Sequence, residues 1–173
     1  MEERKKSMEL LCSFYVSDWH IVTMILPYIN TQINNGVKVA TILEKDLENK
    51  MFELLEKLNL KNKEKMKQID WKIKNGYKYE TIQQVLLEKT QQQQLILVCG
   101  SKDFLEKTNQ NIQKWYQNQK VAKIKVVNCY EVTEFNCHIQ EILDYHDKIL
   151  NTSGEREICE IFDGYQKSIH EAN

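Results

Sequence analysis

Apolar residues in this chain follow two spacings, which alternate from one segment to the next. Nearly continuous apolar runs at residues 11–16, 37–43, 95–99 and 124–130 are typical of buried strands. Between them, apolar residues recur every three or four positions, a spacing that predicts amphipathic helices. These helices are expected over residues 18–34, 46–58, 78–91, 101–116, 133–150 and 152–170. A short strand is also expected at 66–71.

Capping and breaking residues sharpen several of these boundaries. The Asn-Asn-Gly sequence at 34–36 is a helix stop, whereas Asp46 is a favourable N-cap for the second helix. Thr152 and Glu155 have the spacing of a capping box and predict the start of the last helix. Pro27 lies inside the first helical segment, where its missing N–H is expected to kink or split the helix.

This alternation predicts an α/β fold, with a mostly parallel sheet of about five strands flanked by helices in three layers. The 173 residues fit one domain, with its core over about 10–150 and an amphipathic helix at about 152–170. Ligands of such sheets bind beyond the carboxyl ends of the strands, often where the strand order reverses. The candidate binding edge therefore consists of the turns at 15–20, 44–46, 99–101 and 130–134.

The first of these turns differs from an ordinary nucleotide site. A phosphate loop needs glycines, so that backbone N–H groups can approach the anion, and a lysine that reaches the terminal phosphate. This junction has neither and offers Ser17, Asp18, Trp19 and His20 instead. The sequence also lacks the GxGxxG, GxSxG and HExxH motifs. We therefore expect a binding edge that is not an ordinary ATP site.

Aromatic and titratable side chains at this turn suggest how it could bind a ligand. Tyr15 and Trp19 could stack on a flat or hydrocarbon ligand, although aromatic residues beside a strand are more often part of the core. His20 lies near a helix N-terminus, where the dipole favours a neutral imidazole that can donate or accept. Asp18 is equally suited to contact a ligand or to act as an acid in the first turn of the helix.

Other pairs of side chains could in principle support catalysis or metal binding, but the sequence lacks a residue or a spacing that each of them needs. Cys99 or Cys129 could pair with His20 as a nucleophile, yet no third orienting residue is evident. Asp18 with Glu131 could act as a carboxylate pair, although nothing in the sequence fixes their separation. The adjacent Cys137 and His138 point to different sides of a helix and make a poor zinc pair. His146 continues an apolar series and is expected to be a core histidine. No metal, cofactor or catalytic residue is predicted.

Composition and charge narrow the classes of partner. The net charge is -1, and 42% of residues are hydrophobic, so neither nucleic acid nor an anionic membrane is an expected partner. The charges are unevenly distributed. Residues 61–74 carry six lysines against two acids, and residues 131–163 carry nine acids against Lys148 and Arg156. We expect two solvated faces, with a basic docking patch as the alternative.

Cysteine usage and targeting signals favour a cytoplasmic protein. The five cysteines are an odd number, widely spaced and without a CxxC motif, which is typical of a reduced compartment. The chain shows no secretion signal, no lipidation motif and no apolar stretch approaching the roughly 20 residues that a membrane span requires.

The chain resembles the MEDS family, the sensory domain of methanogen and methylotroph regulators that was first defined in a dichloromethane-responsive repressor. The matching pieces are Phe14-Tyr15-Val16-Ser17, Leu26-Pro27-Tyr28-Ile29, the segments 33–36 and 126–131, Phe135 and the segment 142–146. They span roughly residues 10–150, and the specificity lies in their order. The chain departs from the family at Asp147, where a proline is usual, and it lacks the fused DNA-binding or kinase module.

This resemblance implies a RecA/KaiC-like α/β domain that has lost its phosphate loop and senses small molecules or passes signals. We therefore expect a non-catalytic sensory domain that binds a small molecule or a regulatory protein at the carboxyl edge of the sheet. The expected ligand-binding residues are Tyr15, Ser17, Asp18, His20, Gly100, Ser101, Tyr130 and Glu131. One alternative is an interaction module, or a homo-oligomer, that works through the helix at 152–170. A further alternative is a small enzyme that uses the same edge.

Overall fold

The computed structural model describes residues 8–86, 92–118 and 123–167, with the side chains of 134–137 excepted. Over these residues the chain forms an α/β fold around a six-stranded sheet, one strand more than the sequence predicts. The strands are β1 (Met8–Tyr15), β2 (Lys38–Leu43), β3 (Gln94–Cys99), β4 (Ile124–Glu131), β5 (Lys148–Asn151) and β6 (Gly154–Arg156). Their order across the sheet is β2-β3-β4-β1-β5-β6.

Most of the sheet is parallel, as predicted. Strands β2, β3, β4 and β1 pair in parallel along their lengths, and β5 pairs in parallel with β1. Only β6 is antiparallel to its neighbour. In the register of these pairs Leu43, Cys99, Cys129 and Ser13 lie in one row, and Tyr15 lies opposite Glu131. The carboxyl ends of the four long strands therefore meet at one edge.

Helices cover both faces of the sheet. They are α1 (Asp18–Asn34), α2 (Glu48–Lys57), α3 (Lys63–Lys67), α4 (Tyr79–Val85), α5 (Lys102–Gln117), α6 (Phe135–Tyr145) and α7 (Ile158–Ile161), and a 3-10 turn at Val132–Glu134 precedes α6. Buried residues of α1, α2 and α3 pack on one face, which we call the α1 face. Those of α4, α5, α6 and α7 pack on the other, the α5 face.

Chain direction explains this division between the faces. The connection from β1 to β2 crosses the sheet in the direction opposite to those from β3 to β4 and from β4 to β5. Since such crossovers are right-handed, α1 lies on the face opposite to α5 and α6. The connection from β2 to β3 begins on the α1 face and passes around the outer edge of β2. There Ile73 forms an isolated parallel bridge with Leu43.

The C-terminal region differs from the sequence prediction. The helix expected over 133–150 ends at Tyr145, and the strand β5 follows it. Asp147 causes this change of direction, because its N–H donates to the Leu10 carbonyl at 2.7 Å and its carboxylate accepts from the Leu10 N–H at 2.9 Å. These two hydrogen bonds attach the chain to β1 and allow β5 to pair with it.

The helix expected over 152–170 is also wrong for the residues that the structure describes. Residues 152 and 153 form a turn, which β6 and the single-turn helix α7 follow. The Asn151 side-chain amide oxygen accepts from the Ser153 N–H at 2.9 Å, and Gly154 has a φ of 102°, so this segment closes a hairpin. The capping box lies at Glu157 and Glu160 and not at Thr152. Residues 168–170 lie outside the described part.

Smaller predictions had mixed outcomes. The strand expected at 66–71 is absent, because Met66 lies in α3 and its carbonyl accepts from the buried Trp71 indole at 3.0 Å. Pro27 does not split α1, which runs unbroken through the exposed proline. The helix expected over 78–91 spans Tyr79–Val85, and its last positions, 87–91, lie outside the described residues. In the described part, no helix has the length and apolarity that a membrane span requires.

Candidate functional site

The carboxyl ends of β1 and β4 form the point where the strand order reverses. These strands are neighbours, yet the chain leaves β1 toward the α1 face and leaves β4 toward the α5 face. An α/β sheet opens a crevice at such a point, and ligands bind there. The predicted binding edge therefore has the topology that such a site needs.

Side chains of the protein itself cap the β1–α1 junction. The Ser17 hydroxyl is the N-cap of α1 and accepts from the His20 N–H at 3.1 Å. The His20 ring accepts from the Val16 N–H through Nδ1 at 2.9 Å, so the ring proton is on Nε2. Two backbone donors that a phosphate loop would turn toward an anion are thus already hydrogen bonded.

The β3–α5 junction is capped in a similar way. The Ser101 hydroxyl accepts from the Phe104 N–H at 3.2 Å, and the Glu44 carboxylate accepts from the Ser101 N–H at 2.7 Å. Gly100 permits this approach, since a Cβ at that position would lie 2.7 Å from the Glu44 Oε1 atom and 2.5 Å from the Phe104 ring. The Glu44 carboxylate thus lies where a helix N-terminus would otherwise bind an external anion.

Charged and apolar side chains remain accessible around these caps. The Lys45 ammonium lies 3.2 Å from the Asp18 carboxylate. Burial opposes the charge of Lys45, but the hydrogen bond and charge of Asp18, with a smaller effect of Glu131, raise the pKa of Lys45. Trp19 is 42% exposed, with the Lys50 ammonium 5.8 Å from its ring, and Val16 is 64% exposed.

We call this region the carboxyl-end surface. It consists of the β1–α1 turn, the residues after β2, the β3–α5 turn and the end of β4, namely Val16, Ser17, Asp18, Trp19, His20, Glu44, Lys45, Gly100, Ser101 and Glu131. Six of the eight residues predicted to bind ligand belong to it. The sequence placed Glu44 and Lys45 in a candidate turn but did not single them out, because their partners lie 57 and 27 positions away.

Tyr15 lies beneath this surface in the core. Its side chain is 2% exposed, and its hydroxyl is 3.6 Å from the Cys99 thiol. Burial raises the pKa of Cys99 to about 11 and holds the pKa of Cys129 well above its usual range. Because the thiolate is the nucleophile, these two cysteines are poorly suited to the cysteine–histidine chemistry considered above.

Tyr130 is on the other side of the sheet. Successive residues of a strand point to opposite faces, so Tyr130 cannot join Tyr15, whose register partner is Glu131. The Tyr130 ring packs against Phe14 and His146, each with ring centres 5.8 Å apart. It also lines a cavity of about 350 Å³ between α5 and α6. The predicted ligand-binding set is therefore divided between two regions.

Below Tyr130, three buried polar side chains form what we call the amide–imidazole cluster: Asn109, Asn128 and His146. The His146 Nδ1 atom donates to the Ile142 carbonyl at 2.6 Å, and its Nε2 atom accepts from Asn128 at 2.9 Å. Asn128 and Asn109 bind each other through both amide groups, at 2.7 Å and 3.2 Å. His146 is thus a core histidine with both ring nitrogens hydrogen bonded, as expected.

The protonation state of His146 follows from this environment. Burial lowers the pKa of His146 to about 4, although the hydrogen bond to Ile142 and the charge of Asp147 favour the protonated ring. The ring is therefore neutral at physiological pH, with its proton on Nδ1. The sequence did not indicate the two asparagines of the cluster, because a polar residue within an apolar series carries no information about a partner on another element.

Among the residues that the structure describes, no group of three or more histidine, cysteine, aspartate or glutamate side chains could hold a metal ion. The Cys137 side chain lies outside the described part, so the Cys137–His138 pair is not tested.

No protein-family model, curated protein or solved structure matches this chain. The likeness to the MEDS family therefore remains a prediction from the sequence.

Proposed function

We propose that this chain is a non-catalytic sensory or signalling domain of the MEDS type, which binds a small molecule or a regulatory protein at the carboxyl-end surface. One observation carries this proposal. Side chains of the protein bind backbone donors at both strand-to-helix junctions, whereas Asp18, Lys45 and Trp19 between and beside them remain accessible. The surface thus retains the position of a nucleotide site but not its means of binding phosphate.

The charge of the caps supports a ligand other than a nucleotide. A phosphate group at the N-terminus of α5 would have to displace the Glu44 carboxylate or lie beside it, and like charges at that distance repel. At the N-terminus of α1, the Asp18 carboxylate adds further negative charge. Both junctions thus disfavour a polyanion.

The accessible side chains suggest which ligands would fit. Trp19 offers a flat apolar surface, and the neighbouring Lys45 and Asp18 offer a cation and an anion. A molecule or peptide segment with a flat or hydrocarbon part beside a polar group would contact all three. We do not retain the alternative that relies on a helix at 152–170, since most of that segment is not helical.

Thermal denaturation with a panel of metabolites, nucleotides and metal ions tests the proposal. A ligand at 100 times its dissociation constant adds about 2.7 kcal/mol to the free energy of unfolding, which raises the melting temperature by several degrees. We expect Lys45→Met to abolish the rise for an active compound. Lys57→Met is the matched control, because it also removes an exposed ion pair, with Glu53, away from this surface.

Two outcomes would contradict the proposal. In the first, Lys45→Met responds to the active compound as strongly as Lys57→Met does. In the second, no compound raises the melting temperature, and no amide resonance of residues 16–20, 44–45 or 100–101 shifts when candidate regulatory proteins are added to the labelled chain.

A further inference from the structure

Strand β2 lies at the outer edge of the sheet and leaves part of its backbone unpaired. The N–H groups of Lys38 and Glu44 donate to the carbonyls of Gln93 and Cys99, both at 2.9 Å, and so point toward β3. Because backbone groups of alternate residues in a parallel strand point to the same side, the even-numbered residues face β3 and the odd-numbered ones face outward. The Leu43 carbonyl is bonded to Lys74. The outward N–H and C=O groups of Val39 and Thr41 have no backbone partner in the described part of the chain.

This edge lies in a groove. A cavity of about 550 Å³ has Val39, Ala40 and Thr41 as its floor. One wall is the segment 68–75, and the other is α4, which contributes Thr81, Gln84 and Val85. A second cavity of about 430 Å³ continues along the strand toward Gly36 and shares Val39, Gln68 and Ile69 with the first. The two cavities thus form one groove along the open edge, which we call the β2 groove.

The charged residues of the β2 groove are mostly lysines. Lys38 and Lys65 are exposed, and neither forms an ion pair in the described part of the chain. Lys74 lies over the strand edge, where its ammonium donates to the Thr41 hydroxyl and the Asp70 carbonyl, both at 2.8 Å. Asp70, the single acid that lines the groove among described residues, lies 3.5 Å from Lys74. The groove therefore carries a net positive charge.

We infer that the β2 groove binds an extended, acidic segment of a partner protein, which adds to the sheet as a further strand beside β2. An added strand would hydrogen bond to the outward groups of Val39 and, once the Lys74 side chain moves aside, to those of the buried Thr41, the mode by which open sheet edges capture peptides. Its acidic side chains would face Lys65 on the α1 face and Lys38 on the α5 face. This site is separate from the carboxyl-end surface and does not depend on the function proposed for it.

Shape favours a single strand over a second copy of this chain. The floor of the groove is recessed between walls on both faces, so the β2 edges of two copies would be kept apart by their own walls. The lysines of two copies would also repel. The stretch between Val37 and the bridge at Leu43 spans about 20 Å at roughly 3.3 Å per residue, which accommodates five or six residues of an extended peptide.

Selection of random heptapeptides displayed on phage against the whole chain tests this inference, followed by fluorescence polarisation with the best synthetic peptide. We expect enriched peptides to carry two or more acids among β-branched residues and to bind more weakly as salt concentration rises. The double substitution Lys38→Glu/Lys65→Glu should weaken binding about tenfold, the equivalent of two exposed charge pairs. Trp19→Ala, on the carboxyl-end surface, should leave binding unchanged.

Backbone pairing is tested separately by Val39→Pro. Proline at this position removes an outward N–H but no bond to β3, so it is compatible with an edge strand. The folded variant should lose the peptide. In the wild-type chain, hydrogen exchange gives a readout that needs no variant. The Val39 amide should exchange fast when free and become protected when the peptide binds, whereas those of Ala40 and Ile42 should be protected throughout.

Three results would overturn the inference. The first is that no peptide is enriched, or that the enriched peptides are not acidic. The second is that the best peptide binds Val39→Pro or the doubly reversed variant as tightly as it binds the wild type. The third is that the Val39 amide of the free chain is protected as strongly as those of Ala40 and Ile42.

Discussion

The carboxyl-end surface and the amide–imidazole cluster each contain a histidine whose ring nitrogen accepts a hydrogen bond, but the two histidines have different roles. In each, a histidine accepts an N–H through one ring nitrogen: His20 from the Val16 backbone and His146 from Asn128. The surrounding residues differ. His20 stands among exposed charged residues at the end of the sheet, whereas His146 is fully buried between the sheet and α6. Burial, more than residue type, decides which polar group serves the fold and which is free to meet a ligand.

Losing a hydrogen-bond or ion-pair partner costs a different amount of stability in the two regions. A buried polar group that loses its partner costs roughly 1 to 3 kcal/mol, because it cannot bond to water instead. An exposed ion pair such as Asp18–Lys45 contributes about 0 to 1 kcal/mol, because water replaces either partner. Substitutions in the cluster should therefore change stability, and substitutions on the carboxyl-end surface should change binding.

The largest effect is expected for Asn128→Leu. This change leaves the Asn109 side-chain oxygen and the His146 Nε2 atom without partners in the core. At about 2 kcal/mol for each group, we expect the free energy of unfolding to fall by about 4 kcal/mol. Urea denaturation measures the loss, and Asn59→Leu, at an exposed loop position, serves as the control.

A double substitution tests whether the cluster acts as a unit. Asn109→Leu alone strands the Asn128 side-chain oxygen, and Asn128→Leu alone strands that of Asn109. The double variant has neither oxygen, so it should be more stable than the sum of the single losses predicts, by about 2 to 4 kcal/mol. Strict additivity would show that the two amides stabilise the core independently. In that case the comparison between the two regions would lose its basis.

The pH dependence of stability gives the next largest effect. The pKa of His146 is about 4 in the folded chain and about 6.5 when unfolded, so between these values only the unfolded chain binds the proton. Stability should therefore fall as pH decreases from 6.5 to 4 and be fully present above 6.5. The pKa difference corresponds to about 3 kcal/mol.

Comparison with histidine variants separates this effect from the titration of carboxylates. Urea denaturation between pH 4 and pH 7.5 should show a shallower slope for His146→Gln than for the wild type. The matched variant His138→Gln, at a partly exposed position, should keep the wild-type slope. Equal slopes for the wild type and His146→Gln would mean that His146 already binds a proton in the folded chain near neutral pH.

The sequence predicts the first four strands and α1 well because their patterns are local. A run such as 95–99, apolar at every position, is typical of a strand buried on both faces, and the Asn-Asn-Gly stop fixes the end of α1. The region after Tyr145 was mispredicted because Ile149 and Leu150 continue the helical spacing of α6, with no glycine or proline between them. The chain changes direction through Asp147, whose partner Leu10 is 137 positions away, and a local pattern carries no such information.

The prediction of the candidate site is limited in the same way, because local patterns do not reveal long-range contacts. Neighbouring turns could be assigned to one edge from the strand pattern alone, since parallel strands end together. Which side chains share a face depends on register, and register separates Tyr130 from Tyr15 by a single residue. The cap that Glu44 provides to α5 depends on the pairing of β2 with β3, which brings residues 57 positions apart into contact.

The smallest change in stability is expected for Glu44→Ala, and it would sharpen the comparison most. Its carboxylate stabilises the N-terminus of α5, a contribution of about 0.3 to 1 kcal/mol for an exposed charge. Removal also frees the Ser101 N–H to bind an external anion.

We expect inorganic phosphate to raise the melting temperature of Glu44→Ala and to leave the wild type unchanged. Glu53→Ala removes the same charge elsewhere and should behave like the wild type. A rise in all three proteins would indicate general salt stabilisation, whereas a rise in the wild type and Glu53→Ala but not in Glu44→Ala would mean that Glu44 is part of an anion site and not its occupant.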